Sequence, residues 1–192
     1  MVIAEHTVNE TLLSDGWIID VGARNFAFSK WFVERGYKVL AVEPDPEVKP
    51  IPGVVFENAA LSNFTGTAPY KSFGNGTGNY IGEGDIFVRT ITYHDLLKKH
   101  GINTHEIEVL KLDCEGSEYD ILPGIWFGPH QITVEFHEHT QFKKGRNWID
   151  DLVYGLISYD VEQHDWEQRH GAGFNYWDTL LVDKIWKRQR GQ

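Results

Sequence analysis

The sequence predicts an α/β fold: a mostly parallel sheet with an antiparallel strand pair at the C-terminal end. Three observations predict it. Residues 17–43 read strand, glycine turn, helix, strand, the βαβ unit that sets two parallel strands side by side. Short apolar runs at 54–56, 109–112 and 132–137 have the length and flanks of buried strands. The segments 159–164 and 177–182 suit a closing antiparallel pair.

Each element has a local reason. WIIDV ends at an acidic residue and Gly22, which marks a strand running into a tight turn. Phe28, Trp31, Phe32 and Arg35 fall on helical spacing, and Gly36 is placed to end that helix. VLAV is the second strand, ending at Glu43. Residues 44–53 hold four of the seven prolines, which leaves room for one helical turn at most. Residues 62–85, densest in glycine at 73–84, read as a long loop or a hairpin with a flexible tip. A strand at 86–91 follows, then Thr92 as a helix cap with Asp95 three residues on, and Gly101 as the stop. A short helix at 118–122 is stopped by Pro123 and Gly124, and 147–157 carries one apolar face. No repeat and no domain boundary interrupts the 192 residues, which read as one domain.

Composition narrows the function. The net charge of −10 argues against a general nucleic-acid binder, which needs a basic face. A small polar acceptor is the simpler partner. The positive charge gathers at the end, in Lys184, Lys187, Arg188 and Arg190, as a solvated tail or a contact for an anionic acceptor. One cysteine, Cys114, excludes an intrachain disulfide and fits a reducing, cytoplasmic setting. No apolar run has the length of a membrane span, and no signal peptide is read at the N-terminus.

Two constellations carry chemistry. Asp20, Gly22 and Ala23 lie at the first turn, where glycine lets the backbone approach a ligand and the following helix offers free N–H groups. Glu43 ends the next strand, placed to bind ribose hydroxyls. The second is LKLDCEGSEYDILPG, which delivers Asp113 and Glu115 at a strand's carboxyl end, where open α/β sheets bind ligands. Glu118 reads more simply, as an acid favoured at the start of a helix.

The segments IIDVGA, AVEPDP, NAALSN, VRTITYHDLL, LKLDCEGSEYDILPG and ITVEFHEH, in that order over roughly residues 17–140, resemble the FkbM-type methyltransferases. The resemblance implies a Rossmann-like class I methyltransferase fold, S-adenosylmethionine as cofactor, and O-methylation of a sugar or similar small hydroxylated metabolite. It implies that Asp20, Gly22 and Ala23 line the methionine end and that Glu43 holds the ribose. Asn58, Ala60 and Ser62 would lie by the adenine, and Asp113 and Glu115 near the transferred methyl group. Glu135 and His137, two apart on one strand face, are candidates for the base, with Asp113 beside them. His137 is favoured because imidazole titrates near neutrality. His137 and His139 are also spaced to share a metal with Asp113, but no further ligand is singled out and none is assigned.

Two residues depart from the pattern. Arg24 puts a cation near a site that must hold a sulfonium, and Phe26 stands where a second glycine is usual. They motivate a methyltransferase-like domain without activity as the alternative. A nicotinamide-dependent oxidoreductase is weaker still, because the turn lacks Gly-x-Gly. Cys114, between two polar positions, is expected to point into the core. His164 and His170 are expected to face solvent. Trp126, Trp148, Trp166, Trp177 and Trp186 fall in the later half, where such enzymes build their acceptor side.

Overall fold

The computed structural model describes residues 1–73, 78–125, 127–137, 145–156, 158–168 and 175–191. In chain order the elements are β1 (Val2–Ile3), β2 (His6–Thr7), β3 (Trp17–Val21), α1 (Ala27–Val33), β4 (Lys38–Val42), β5 (Val54–Glu57), β6 (Ala60–Leu61), β7 (Gly66–Lys71), β8 (Tyr80–Ile81), β9 (Ile86–Ile91), α2 (Tyr93–His100), β10 (Ile107–Leu112), α3 (Glu118–Ile121), β11 (Gln131–His137), α4 (Gly145–Gly155), β12 (Tyr159–Gln168), β13 (Asn175–Asp183) and α5 (Lys184–Gln189).

Seven strands form the main sheet in the order β12-β13-β11-β10-β3-β4-β5. The five strands from β11 to β5 run parallel, and β13 pairs antiparallel with both β11 and β12. The expected architecture is present, closing pair included. Ile19, Leu40, Leu110 and Ile132 are fully buried between the sheet and the chain packed on it, which is the burial parallel strands require.

Between β4 and β5 the proline segment replaces a crossover helix. Val48 and Ile51 from that segment cover Ala23, Phe26 and Ala41, so an irregular stretch seals the sheet where a helix would ordinarily lie. Thr92 caps α2 as expected, accepting from the Asp95 N–H, and Gly101 ends it with φ +64°.

The region 62–85 differs from a loop or simple hairpin. β6, β9, β7 and β8 make a second, four-stranded sheet. Glycine and Pro69 hid the strand pattern there. Pro69 is tolerated because it lies in β7 outside the two residues paired to β8, where a missing N–H breaks no ladder bond on that side. Residues 1–16, to which the sequence pattern assigns no element, form the β1–β2 pair and a 3-10 turn at Glu10–Leu12. The charged tail is also ordered. Asp183 caps α5, and Lys187 sits 2.8 Å from Glu162 and 3.7 Å from Asp160. Those strand acids take the Lys187 charge.

Candidate functional site

The site grows from register. In the parallel ladders Lys111 lies beside Asp20 and Leu112 beside Val21 and Val134, so the residues following those strands emerge together at one edge. Gly22 turns there with φ +78°, and a Cβ on it would lie 1.8 Å from the Asp113 carbonyl oxygen. Only glycine lets the β3 and β10 turns approach this closely.

Lys111 has a long polar side chain in a strand whose six residues are all buried. Its Nζ donates to the Gly22 carbonyl at 2.9 Å and sits 3.2 Å from Asp20 and 3.3 Å from Asp113. Burial works against this ammonium, but the two carboxylates outweigh it and hold it well above the ordinary lysine range. Asp20 also accepts from the Ser29 N–H and hydroxyl, at 3.1 and 2.6 Å. It braces β3 against α1 and is 1% exposed, buried below the turn it was expected to line.

Asp113, Glu135 and His137 come together as expected. His137 Nε2 lies 3.0 Å from Glu135, 3.6 Å from Glu115 and 3.7 Å from Asp113. Its Nδ1 lies 3.3 Å from Glu118. Burial opposes a charged ring, yet Glu118 and Glu135 prevail and raise its pKa well above the usual histidine value. The expectation of titration near neutrality is therefore corrected: the carboxylates around the ring favour its protonated form. Burial likewise lifts Glu115, while for Asp113 the desolvation is overcome by Lys111 and the two histidines, leaving it well below the carboxylate range.

Three functional residues escape the sequence reading. Glu118 is fully buried; one oxygen accepts from the Cys114 N–H at 2.6 Å and the other from the Gly116 N–H at 2.9 Å. It fixes the turn that carries Asp113 and Glu115, besides steadying His137, so it does far more than suit a helix dipole. The sequence signal was an acid in a Gly-x-acid turn after a strand. Lys111 was legible as a lone lysine inside an apolar strand. His6 had no signal; β2 brings it, 2% exposed, to 3.6 Å from Asp113.

At the corner expected to hold the ribose, Glu43 is 4% exposed and accepts from the Asp45 N–H at 2.9 Å. Burial pushes its pKa up to about 7, against the pull of that N–H and of Arg24. Asn58 donates to the carbonyls of Glu43 and Asp45 at 2.9 and 3.1 Å, so it shapes this corner through the backbone. Ala23 is buried under the turn, its N–H on the Val42 carbonyl. Arg24 pairs with Asp45, which neutralises the cation near Glu43. Phe26 adopts φ +55°, explaining why a glycine would fit, and its ring packs on Ala23, Ala41 and Phe56. It lies in the core and leaves the cleft open.

A cleft of about 310 Å³ runs between the second sheet and the α3 turn. Ser62, Phe64, Pro69 and Ile81 form one wall, Glu115 and Asp120 the other. Ala60 lies behind it in β6, paired with Thr90. Cys114 packs against the main core, as expected, and burial raises its thiol well above the ordinary value, which keeps it protonated and unreactive. Trp186 is not on this side: it stacks on His130 at 3.6 Å, just before β11 and so at the opposite sheet edge. His139, His170 and Trp126, and the side chains of His164, Trp148, Trp166 and Trp177, lie outside the described residues.

Comparison with known proteins follows the geometry. Residues 20–176 match the family model for the methyltransferase FkbM domain. Comparison with curated proteins gives no match. Among solved structures, the Burkholderia thailandensis 1,6-didemethyltoxoflavin-N1-methyltransferase is 16% identical with a TM-score of 0.46, covering 88% of this chain and 71% of its own. A TehB-like SAM-dependent methyltransferase from Corynebacterium glutamicum is 10% identical with a TM-score of 0.45, over 90% and 82%. A variant 16S rRNA (adenine(1408)-N(1))-methyltransferase from Catenulisporales acidiphilia is 12% identical with a TM-score of 0.43, over 90% and 87%. These likenesses are distant, and the assignment rests on the family match.

Proposed function

The chain belongs to the FkbM methyltransferase family, and from that premise we propose that it O-methylates a small hydroxylated acceptor, a sugar or similar metabolite. Its cofactor is S-adenosylmethionine, which supplies an electrophilic methyl group on a sulfonium.

The donor set suits that cofactor. Asp113, Glu115 and Glu43 line the carboxyl edge of the parallel strands, fitting a ligand with an ammonium, a sulfonium and a ribose diol. Gly22 and Ala23 would bring backbone to the methionine end, with Asp20 bracing them from below. Glu43 would accept from the ribose, and Asn58, Ala60 and Ser62 would border the adenine. Asp113 and Glu115 would face the sulfonium.

The observation that carries the acceptor reading is the convergence of Asp113, Glu135 and His137, joined to the cleft through Glu115. Transfer to a hydroxyl needs alignment and a place for its proton. Glu118 holds Nδ1, so the protonated ring would orient the acceptor oxygen through Nε2, and Glu135, 3.0 Å from that nitrogen, would take the proton. The net charge of −10 disfavours a nucleic-acid acceptor. The reading takes residues 1–192 as one domain, located in the cytoplasm where the Cys114 thiol stays reduced.

The test is transfer of an isotopically labelled methyl group to a panel of monosaccharides, phenols and RNA, with calorimetry on S-adenosylhomocysteine. Labelled O-methyl product with a small acceptor is expected. Label on nitrogen or on RNA would overturn the acceptor class. No heat with S-adenosylhomocysteine would favour the inactive alternative.

A further inference from the structure

We propose that Asp113, Glu135 and His137, with Glu115 on the open side, form a binding site for a divalent cation of the Mn2+ class. One donor atom from each of Asp113, Glu135 and His137 lies within 4.8 Å of the others. His137 Nε2 is 3.0 Å from Glu135 and 3.7 Å from Asp113. Neighbouring ligands about 2.1 Å from an ion stand about 3.0–3.4 Å apart, so a small closure of Asp113 completes the set. Both carboxylates and the imidazole come from strand ends, which fixes their relative positions.

Ring orientation adds to the distances. Nδ1 faces Glu118, so Nε2 alone faces three carboxylates. One proton on that nitrogen can bond one of them; a cation at the centre serves all. A carboxylate behind the ring and an ion in front is the arrangement that fixes metal-binding histidines.

A second, independent feature points into the same place. His6 is 2% exposed and directs Nε2 at Asp113 from 3.6 Å, beyond hydrogen-bond length. Its Nδ1 has no partner among the described residues. A buried histidine with one nitrogen unbonded is costly, and an ion on Asp113 gives it a role as a further ligand or as an outer support. Access exists, because the Asp113 and Glu115 side chains are 28% and 25% exposed and Glu115 lines the cleft. Mixed imidazole and carboxylate donors favour Mn2+ over Ca2+. Bound there, the ion would hold the acceptor hydroxyl and make it more acidic. That consequence rests on the methyl-transfer reading; binding of the ion does not.

The test uses the full chain stripped with a chelator and titrated with Mn2+, read by EPR of the free ion and by calorimetry, with Mg2+ and Zn2+ in parallel. One Mn2+ per chain is expected, with nitrogen modulation from histidine in pulsed EPR. Asp113→Asn should weaken binding at least about tenfold, and Glu118→Gln by about 10–100-fold. Circular dichroism checks that both variants fold; if either does not, the nitrogen coupling in the native chain decides. No uptake of any of the three ions at about 1 mM overturns the site, as does Mn2+ bound without nitrogen coupling. Wild-type affinity in both folded variants does so too. Heat from S-adenosylhomocysteine on the metal-free chain, without ion uptake, sinks this site and leaves the methyl-transfer reading standing. Ion uptake without that heat does the reverse.

Discussion

Glu43 sets stability against its proposed role in holding the ribose, and the conflict has a measurable size. Its carboxyl is raised from 4.5 to about 7 by burial. Each pKa unit corresponds to about 1.36 kcal/mol, so holding Glu43 ionised in the fold costs about 3 kcal/mol. The sign follows from proton binding. Between pH 4.5 and about 7 the native chain holds this proton more tightly than the unfolded chain. Stability from this group is therefore full at low pH and is lost as pH rises through that window. Glu43→Gln keeps an oxygen for the Asp45 N–H and never ionises. Urea unfolding of both proteins at pH 5 and pH 8 isolates the effect. The variant's stability relative to the native chain should rise by up to about 3 kcal/mol between the two pH values. Affinity for S-adenosylhomocysteine should move the other way: the native chain should bind more tightly at pH 8 than at pH 6, and the variant should bind weakly at both. A stability difference that does not change with pH would refute the buried-charge reasoning. Equal affinity in the variant would show that the ribose is held elsewhere.

Three other perturbations follow from the same geometry. Gly22→Ala forces a Cβ against the Asp113 carbonyl at φ +78°, so the urea midpoint should fall by the equivalent of at least about 2 kcal/mol and cofactor binding should vanish; native-like binding would show that the turns can part. Lys111→Met strips Asp20 and Asp113 of their buried partner and should destabilise by about 3–5 kcal/mol in the same assay, a neutral result meaning that the acids shed their charge instead. Arg24→Ala leaves the buried Asp45 without its cation and should destabilise by about 1–3 kcal/mol, while shifting the pH profile of cofactor affinity upward because Glu43 loses a nearby positive charge. An unshifted profile would place Arg24 outside the electrostatics of that corner.

The main sheet was legible because its strands are nearly continuous apolar runs between glycine and acidic stops, as burial on both faces demands. The second sheet was not, because Gly66 and Pro69 punctuate strands held by pairing across the long separation between β7 and β9. At the site, residues that emerge from strand ends could be read: Asp113, Glu135 and His137 follow from periodicity and the position of the ends. Residues brought in by packing could not. His6 reaches Asp113 from a two-residue strand far earlier in the chain, and no local pattern encodes that approach. The doubts attached to Arg24 and Phe26 came from reading one-dimensional neighbours as spatial ones. Asp45 and the proline segment, both later in the chain, absorb the cation and the ring.

Glu118 shows how the LKLDCEGSEYDILPG segment builds the site. Glu115 takes φ +52°, a conformation costly for a residue with a side chain, and Gly116 follows at φ +106°. That kink turns the Glu115 carboxylate back toward the strand edge, where it meets His137. The kinked backbone leaves two N–H groups pointing inward, and both oxygens of Glu118 accept them. The same carboxylate fixes His137 Nδ1. One fully buried acid thus holds the loop that aims Glu115 and the ring that faces it. Glutamine in its place would offer a single acceptor oxygen against two N–H donors, so the loop and the histidine orientation would loosen together. Aspartate would be too short to span from α3 to both the loop and β11. The spacing Asp-x-Glu-Gly-x-Glu is therefore a geometric requirement of this site, whether its centre holds a proton or an ion.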